Sequence, residues 1–146
     1  MSERIVLASD HGGLELKKEL VEGLREGGYT VFDIGTHTTE STDYPDYARQ
    51  AVHGMLAGNY DRGILVCGTG VGMAMTANRQ RGIRAVNCSD VFTARYSRAH
   101  NDSNVLCLGG RVVGFGLAWE IVKTWLTTPF GGDKRHVRRV NKIESE

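Results

Sequence analysis

The residues best suited to chemistry are a cysteine and the loop behind it. Cys67-Gly68-Thr69-Gly70-Val71-Gly72 follows the short apolar run Gly63 to Val66 and precedes a helical stretch, Met73 to Arg79. A strand that feeds a glycine-rich loop and then a helix N-terminus makes an anion site. Glycines let backbone N–H groups turn toward a ligand, and the helix end adds positive potential. A thiol at such a place is expected to be acidified, which makes it a base or a nucleophile. The loop is not a P-loop, because no Gly-Lys-Ser/Thr follows. It is not the dinucleotide fingerprint either, because Met73 stands where glycine or alanine is required. Three alternating glycines after a cysteine favour a ligand site over a bare tight turn. Cys88 and Cys107, beside or within apolar runs, read as small buried residues.

Two further clusters carry suitable groups. Asp10-His11 ends the first apolar run and opens onto Gly12-Gly13. The aspartate either caps a helix or, with the imidazole, holds sugar hydroxyls or phosphate; residue types leave both open. Arg135 and Arg139 lie four apart, on one face if the tail is helical, with Arg138 and Lys142 beside them. A solvated basic tail is the ordinary reading. The sharper one is a phosphate clamp, since the guanidinium fork matches phosphate oxygens, with Arg111 as a third arm. His100-Asn101-Asp102 falls between a helix and a strand. A lone loop histidine ordinarily faces solvent, and His37 and His53 read that way. No histidine or cysteine pair has metal-ligand spacing, so no metal dependence is expected.

These residues must be positioned by a regular alternation of elements. Apolar runs at Arg4–Ser9, Tyr29–Ile34, Arg62–Val66, Ile83–Asn87 and Asn104–Leu108 read as strands. Helical patterns lie between them: Leu14–Glu26, Asp46–Ala57 behind Pro45, Met73–Arg79 and Val91–Ala99. In the first, Leu16, Leu20 and Leu24 stack at i, i+4 and i+8, leaving Lys17, Lys18 and Glu22 to water. Gly114–Leu126 is strongly amphipathic through Ala118, Ile121, Val122 and Trp125, and the tail from Asp133 is helical. Apolar strands alternating with helices imply an α/β fold in three layers, α/β/α, with a parallel five-stranded sheet covered on both faces. Ligands of such sheets sit at the carboxyl ends of the strands, where Asp10–Gly13, Cys67–Gly72 and Gly109–Arg111 all fall.

Composition narrows the class. The 146 residues are 40% hydrophobic and 24% charged, which suits one domain spanning the whole chain, 1–146. A net charge of +1 argues against a dedicated nucleic-acid or membrane-surface binder. Three cysteines, an odd number, suggest reduced thiols, and no apolar run suits a signal peptide or a membrane span. The cytoplasm is the expected location.

Together these stretches resemble the ribose-5-phosphate isomerase B family of sugar-phosphate isomerases, which also includes galactose-6-phosphate isomerase subunits. The resemblance rests on Ser9-Asp10-His11-Gly12-Gly13, Thr42-Asp43-Tyr44-Pro45, Cys67 to Gly72, Gly82-Ile83-Arg84-Ala85, His100-Asn101-Asp102, Gly109-Gly110-Arg111 and the Arg135 to Arg139 tail. It implies a Rossmann-like fold, aldose–ketose isomerisation of a small phosphorylated sugar with neither metal nor cofactor, and a homodimer or homotetramer whose sites lie between subunits. Carried over, Cys67 is the base between C2 and C1. Thr69 and the backbone of Gly68, Gly70, Val71 and Gly72 hold the enediolate. His100 opens the sugar ring, with Asn101 nearby. Asp10 and His11 hold sugar oxygens, and Arg111, Arg135 and Arg139 hold the phosphate, some from the partner subunit. His100-Asn101-Asp102 favours the pentose enzyme over galactose-6-phosphate isomerase. Allose 6-phosphate and tetrose phosphates remain as alternative substrates, and a non-catalytic sugar-phosphate-binding module as an alternative function. A thiol redox enzyme is disfavoured by the lack of Cys-x-x-Cys.

Overall fold

A computed structural model describes residues 2–145. The chain runs β1 (Arg4–Ser9), a 3-10 turn (His11–Gly13), α1 (Leu14–Glu26), β2 (Thr30–Asp33), α2 (Tyr44–Leu56), β3 (Arg62–Cys67), α3 (Val71–Ala77), β4 (Ala85–Asn87), α4 (Val91–Ala99), β5 (Val105–Gly109), α5 (Phe115–Thr127) and α6 (Lys134–Glu144). The five strands form one parallel sheet in the order β2-β1-β3-β5-β4. Helices cover both faces, as the alternating pattern requires: a Rossmann-like α/β fold.

The expected apolar positions build the two cores. On one face Leu16, Leu20 and Leu24 of α1 and Ala118, Ile121, Val122 and Trp125 of α5 pack on Ile5, Leu7, Ile64 and Leu106. On the other, Ala48, Ala51 and Val52 of α2 and Met73 and Ala77 of α3 pack on Val6, Leu65, Val105 and Cys107. β1, β3 and β5 are buried almost throughout, whereas the edge strands β2 and β4 are half-open and shorter than their apolar runs. The outer side of β4 is closed by a side chain. The Asn78 amide donates to the Ala85 carbonyl at 2.8 Å and accepts from the Ala85 N–H at 2.7 Å, as a further strand would.

Lys17 departs from its expected exposure. Its ammonium is fully buried, donating to Asp33 Oδ1 at 2.5 Å and to the Thr36 carbonyl at 2.8 Å. The carboxylate at the end of β2 and the loop behind it draw the lysine inward. α3 begins two residues earlier than its apolar pattern suggests, directly on Val71. The tail is helical as expected, with the Asp133 side chain accepting from the Arg135 N–H at 3.0 Å. No helix among the described residues is long and apolar enough to cross a membrane.

Candidate active site

The chain goes from β1 to β2 on one side and then crosses to β3 on the other, so the strand order reverses between β1 and β3. At that point the loops leaving two neighbouring strands diverge and open a crevice. β1 delivers Asp10 and His11 there, and β3 delivers Cys67 to Gly72. The loop after β5 seals the third side: the Gly110 N–H donates to the Cys67 carbonyl at 2.8 Å and the Arg111 N–H to the Gly68 carbonyl at 3.0 Å.

Within the crevice, Cys67 is 5% exposed, and its Sγ accepts a hydrogen bond from the Gly70 N–H at 3.1 Å. An N–H aimed at sulfur is the contact a thiolate would accept. The bond is made by folding the loop back on itself, with Gly70 at φ 84°. A side chain there would be strained by that backbone and would collide with Asn87 and with the Leu108 carbonyl carbon, 2.9 Å away. Glycine at 70 is therefore required by the turn, whatever else the loop binds. At Gly72 a Cβ would run into the ring of Tyr44, the first residue of α2.

The expected row of donors is thinner than the glycines suggest. Gly70 N–H is engaged by sulfur and Val71 N–H by Thr69 Oγ1 at 3.2 Å. The first bond of α3 runs from Ala74 N–H to the Gly70 carbonyl at 3.1 Å, which leaves Gly72 and Met73 N–H outside the helical ladder. Thr69 is exposed at the lip.

Asp10 acts as a cap. It is buried, and its Oδ1 accepts from the Gly13 N–H at 3.1 Å. His11 is locked from a loop distant in sequence. The Thr42 N–H donates to His11 Nδ1 at 3.1 Å, and the His11 N–H donates to Thr42 Oγ1 at 3.0 Å. Since a backbone N–H can only donate, Nδ1 is the acceptor, and the neutral ring carries its proton on Nε2. Arg111 closes the rim. A Cβ placed on Gly68 would lie 3.5 Å from Arg111 Nη1, and one on Gly12 3.6 Å from Nη2. Arg111 thus belongs beside the thiol loop.

His100, Asn101, Arg135 and Arg139 lie elsewhere. α4 starts after β4 and runs back, so its C-cap His100 reaches the N-terminal ends of the strands. There the His100 ring stacks on His136 of α6, centroids 4.1 Å apart and planes 11° from parallel, with Tyr96 on the same cluster at 4.9 Å. Arg135 and Arg139 flank His136 and are exposed. Asn101 lines a cleft of about 620 Å³ with Arg79, Arg81, Arg84 and Glu144. Asp102, at φ 49°, is held by Arg98 Nη1 at 2.9 Å and Arg84 Nη2 at 3.4 Å, which pins the loop that carries His100. Within one chain the expected site is split between the two ends of the sheet, and the three arginines do not form one clamp.

Thr42, Tyr44, Asn87 and His136 are additions from the structure. Thr42 and Tyr44 fall in a run that carried the family resemblance, but no spacing signals that they touch His11 or Gly72. Among the described residues no three His, Cys, Asp or Glu side chains converge as a metal site.

Comparison with known proteins agrees on the fold and identifies the family. Residues 5–143 match the family described as Ribose/Galactose Isomerase. The chain is 49% identical to ribose-5-phosphate isomerase B of Escherichia coli over 141 residues, covering 97% of this chain and 94% of that protein. It is 38% identical to a D-erythrulose-4-phosphate isomerase of Pectobacterium atrosepticum over 145 residues, covering 97% and 95%. The crystal structure of a ribose 5-phosphate isomerase from Thermotoga maritima superposes with a TM-score of 0.96 at 47% identity, covering all of both chains. With the family matched over nearly its whole length, on the same fold, the chain belongs to the ribose/galactose isomerases.

Proposed function

We propose that this chain interconverts ribose 5-phosphate and ribulose 5-phosphate without a metal, in a site completed by a second copy of itself. The observation that carries the reading is Cys67. It is a buried thiol on a loop that donates an N–H to its sulfur, with Arg111 at the rim and Asp10 and His11 opposite. The relatives named as ribose-5-phosphate isomerases support the substrate, at 49% and 47% identity against 38% for the tetrose enzyme.

The chemistry runs in balanced steps. His100 gives a proton to the ring oxygen O4 as the C1–O4 bond breaks, and the C1 hydroxyl proton passes back to the imidazole, leaving an open aldehyde. The Cys67 thiolate takes the C2 proton, and the electron pair moves onto O1 as an enediolate. Thr69 and the free loop N–H groups neutralise that oxygen, the role for which fixed dipoles are most effective. The O2 proton passes to O1, and Cys67 returns its proton to C1, giving the ketose. The phosphate is anchored by Arg111 with Arg135 and Arg139 of the other copy.

The split site supports a second copy. His100, Arg135 and Arg139 cannot meet Cys67 in one chain, because the sheet separates them. Exposed apolar side chains lie on both flanks of edge strand β4, with Met75 on α3 at 68% and Phe92 on α4 at 69% exposure, and these suit a subunit interface.

Kinetics on three sugars tests the assignment. kcat/KM should be highest for ribose 5-phosphate, ahead of allose 6-phosphate and erythrose 4-phosphate, and EDTA should not lower it. Cys67→Ala should lower kcat by about 10²–10⁴-fold, the range for loss of a proton-transfer group. Near-normal turnover would remove Cys67 as the base. Saturable binding without proton exchange at C2 in heavy water would make the chain a binding module.

A further inference from the structure

The His100–His136 pair is not required by fold or by the isomerisation chemistry as written. His136 sits on the inward face of α6, 8% exposed, with Val140 one turn on. Its ring lies flat against His100, and Tyr96 packs on His100 tilted by 47°. No side-chain hydrogen bond among the described residues holds the His100 ring, so these two aromatic contacts set its plane.

We propose that His136 is a positioning residue for His100, holding the imidazole plane for proton transfer to the sugar ring oxygen. The inference rests on the reading of His100 as the ring-opening group. Two imidazolium rings at this distance would repel. Arg135, Arg139 and His100 oppose a charge on His136, and Asp133 alone among its neighbours favours one. Burial, the largest influence, likewise holds His136 below the ordinary histidine range. His136 therefore offers His100 a flat neutral surface.

Ribose 5-phosphate shows whether this matters, because its ring must open, whereas ribulose 5-phosphate cannot close a five-membered ring through its phosphorylated C5 oxygen. When the enzyme opens the ring, the rate from ribose 5-phosphate keeps rising with enzyme concentration. Without that step the rate levels off at the speed of ring opening in solution, while the rate from ribulose 5-phosphate still rises. His136→Ala and His136→Leu should cut the high-enzyme slope about tenfold or more, and His136→Phe, which still stacks, should stay within about twofold. By NMR, the ring-current shift of the His100 carbon-bound protons should persist in His136→Phe and shrink in His136→Leu to the share that Tyr96 supplies. An unchanged slope in both His136→Ala and His136→Leu, or an equal loss in His136→Phe, overturns the proposal. His100→Asn separates the two readings. Levelling off in His100→Asn with no change in the His136 variants overturns only the positioning role. Strict proportionality in His100→Asn overturns the ring-opening assignment and this inference with it.

Discussion

At the scale of single residues, the three thiols differ by environment. Burial, with a contribution from Asp90, pushes the Cys88 thiol up to about 12, and burial holds Cys107 well above the usual thiol range. A raised value keeps each group protonated, and the thiol is the unreactive form. At pH 8 the folded protein should therefore give no rapid alkylation at Cys88 or Cys107. Iodoacetamide labelling followed by peptide mass analysis checks this. Fast modification of either in the native state, at rates matching the unfolded chain, would contradict it. The loop at Cys67 was legible from the glycines around it because a strand-to-helix turn of this kind is spelled out locally in the sequence. The contacts of Thr42 with His11, Tyr44 with Gly72 and Asn87 with Gly70 were not legible. Each joins residues tens of positions apart, or an edge strand to a loop, and only the sheet order brings them together.

At the scale of elements, hydrophobic periodicity located every strand and helix and misjudged mainly their ends. β2 and β4 contract because an edge strand is paired on one side only. α3 starts early because Gly70, in its left-handed turn, already points Val71 along the helix. The misplacement of Lys17 has a different cause. Its neighbours Leu16 and Leu20 fix the buried stripe of α1, and a lysine at the margin of that stripe reads as exposed. The Asp33 carboxylate and the Thr36 carbonyl satisfy its ammonium inside instead. Such a pair is destabilising mainly when it is halved. Asp33→Ala should cost about 3–5 kcal/mol by leaving a buried ammonium unpaired, and Lys17→Met distinctly less. Urea denaturation of the two variants measures the difference; equal, small losses would mean that Lys17 escapes to water when its partner is removed.

At the scale of the whole molecule, the sheet places the thiol crevice at its C-terminal edge and the His100–His136 cluster at its N-terminal edge. The residues of both halves were named from sequence, and the family resemblance implied that some of the arginines come from a partner subunit, but the placement of His100 at the opposite end of the sheet from Cys67 was not read from the pattern. It depends on α4 running antiparallel to the strands, a direction that patterning implies and that is easily passed over when motifs are gathered into one site. A site shared between copies makes a sharp prediction. Assayed from ribose 5-phosphate at high enzyme concentration, Cys67→Ala and His100→Asn chains, each slow alone, should recover activity when unfolded together and refolded. Random pairing gives one intact site in half of the dimers, roughly a quarter of the wild-type activity at full exchange. No recovery, with mixed dimers confirmed by native mass spectrometry, would place each complete site within one chain.

The same separation bears on how this sequence can change over time. In the proposed two-copy site, selection would act jointly on positions that never touch in their own chain. A substitution near Gly68 or Arg111 would be compensated on α6, at the far edge of the sheet. Across relatives, paired changes between these segments would read as contacts that the monomer cannot make, and would trace the outline of the assembled pair.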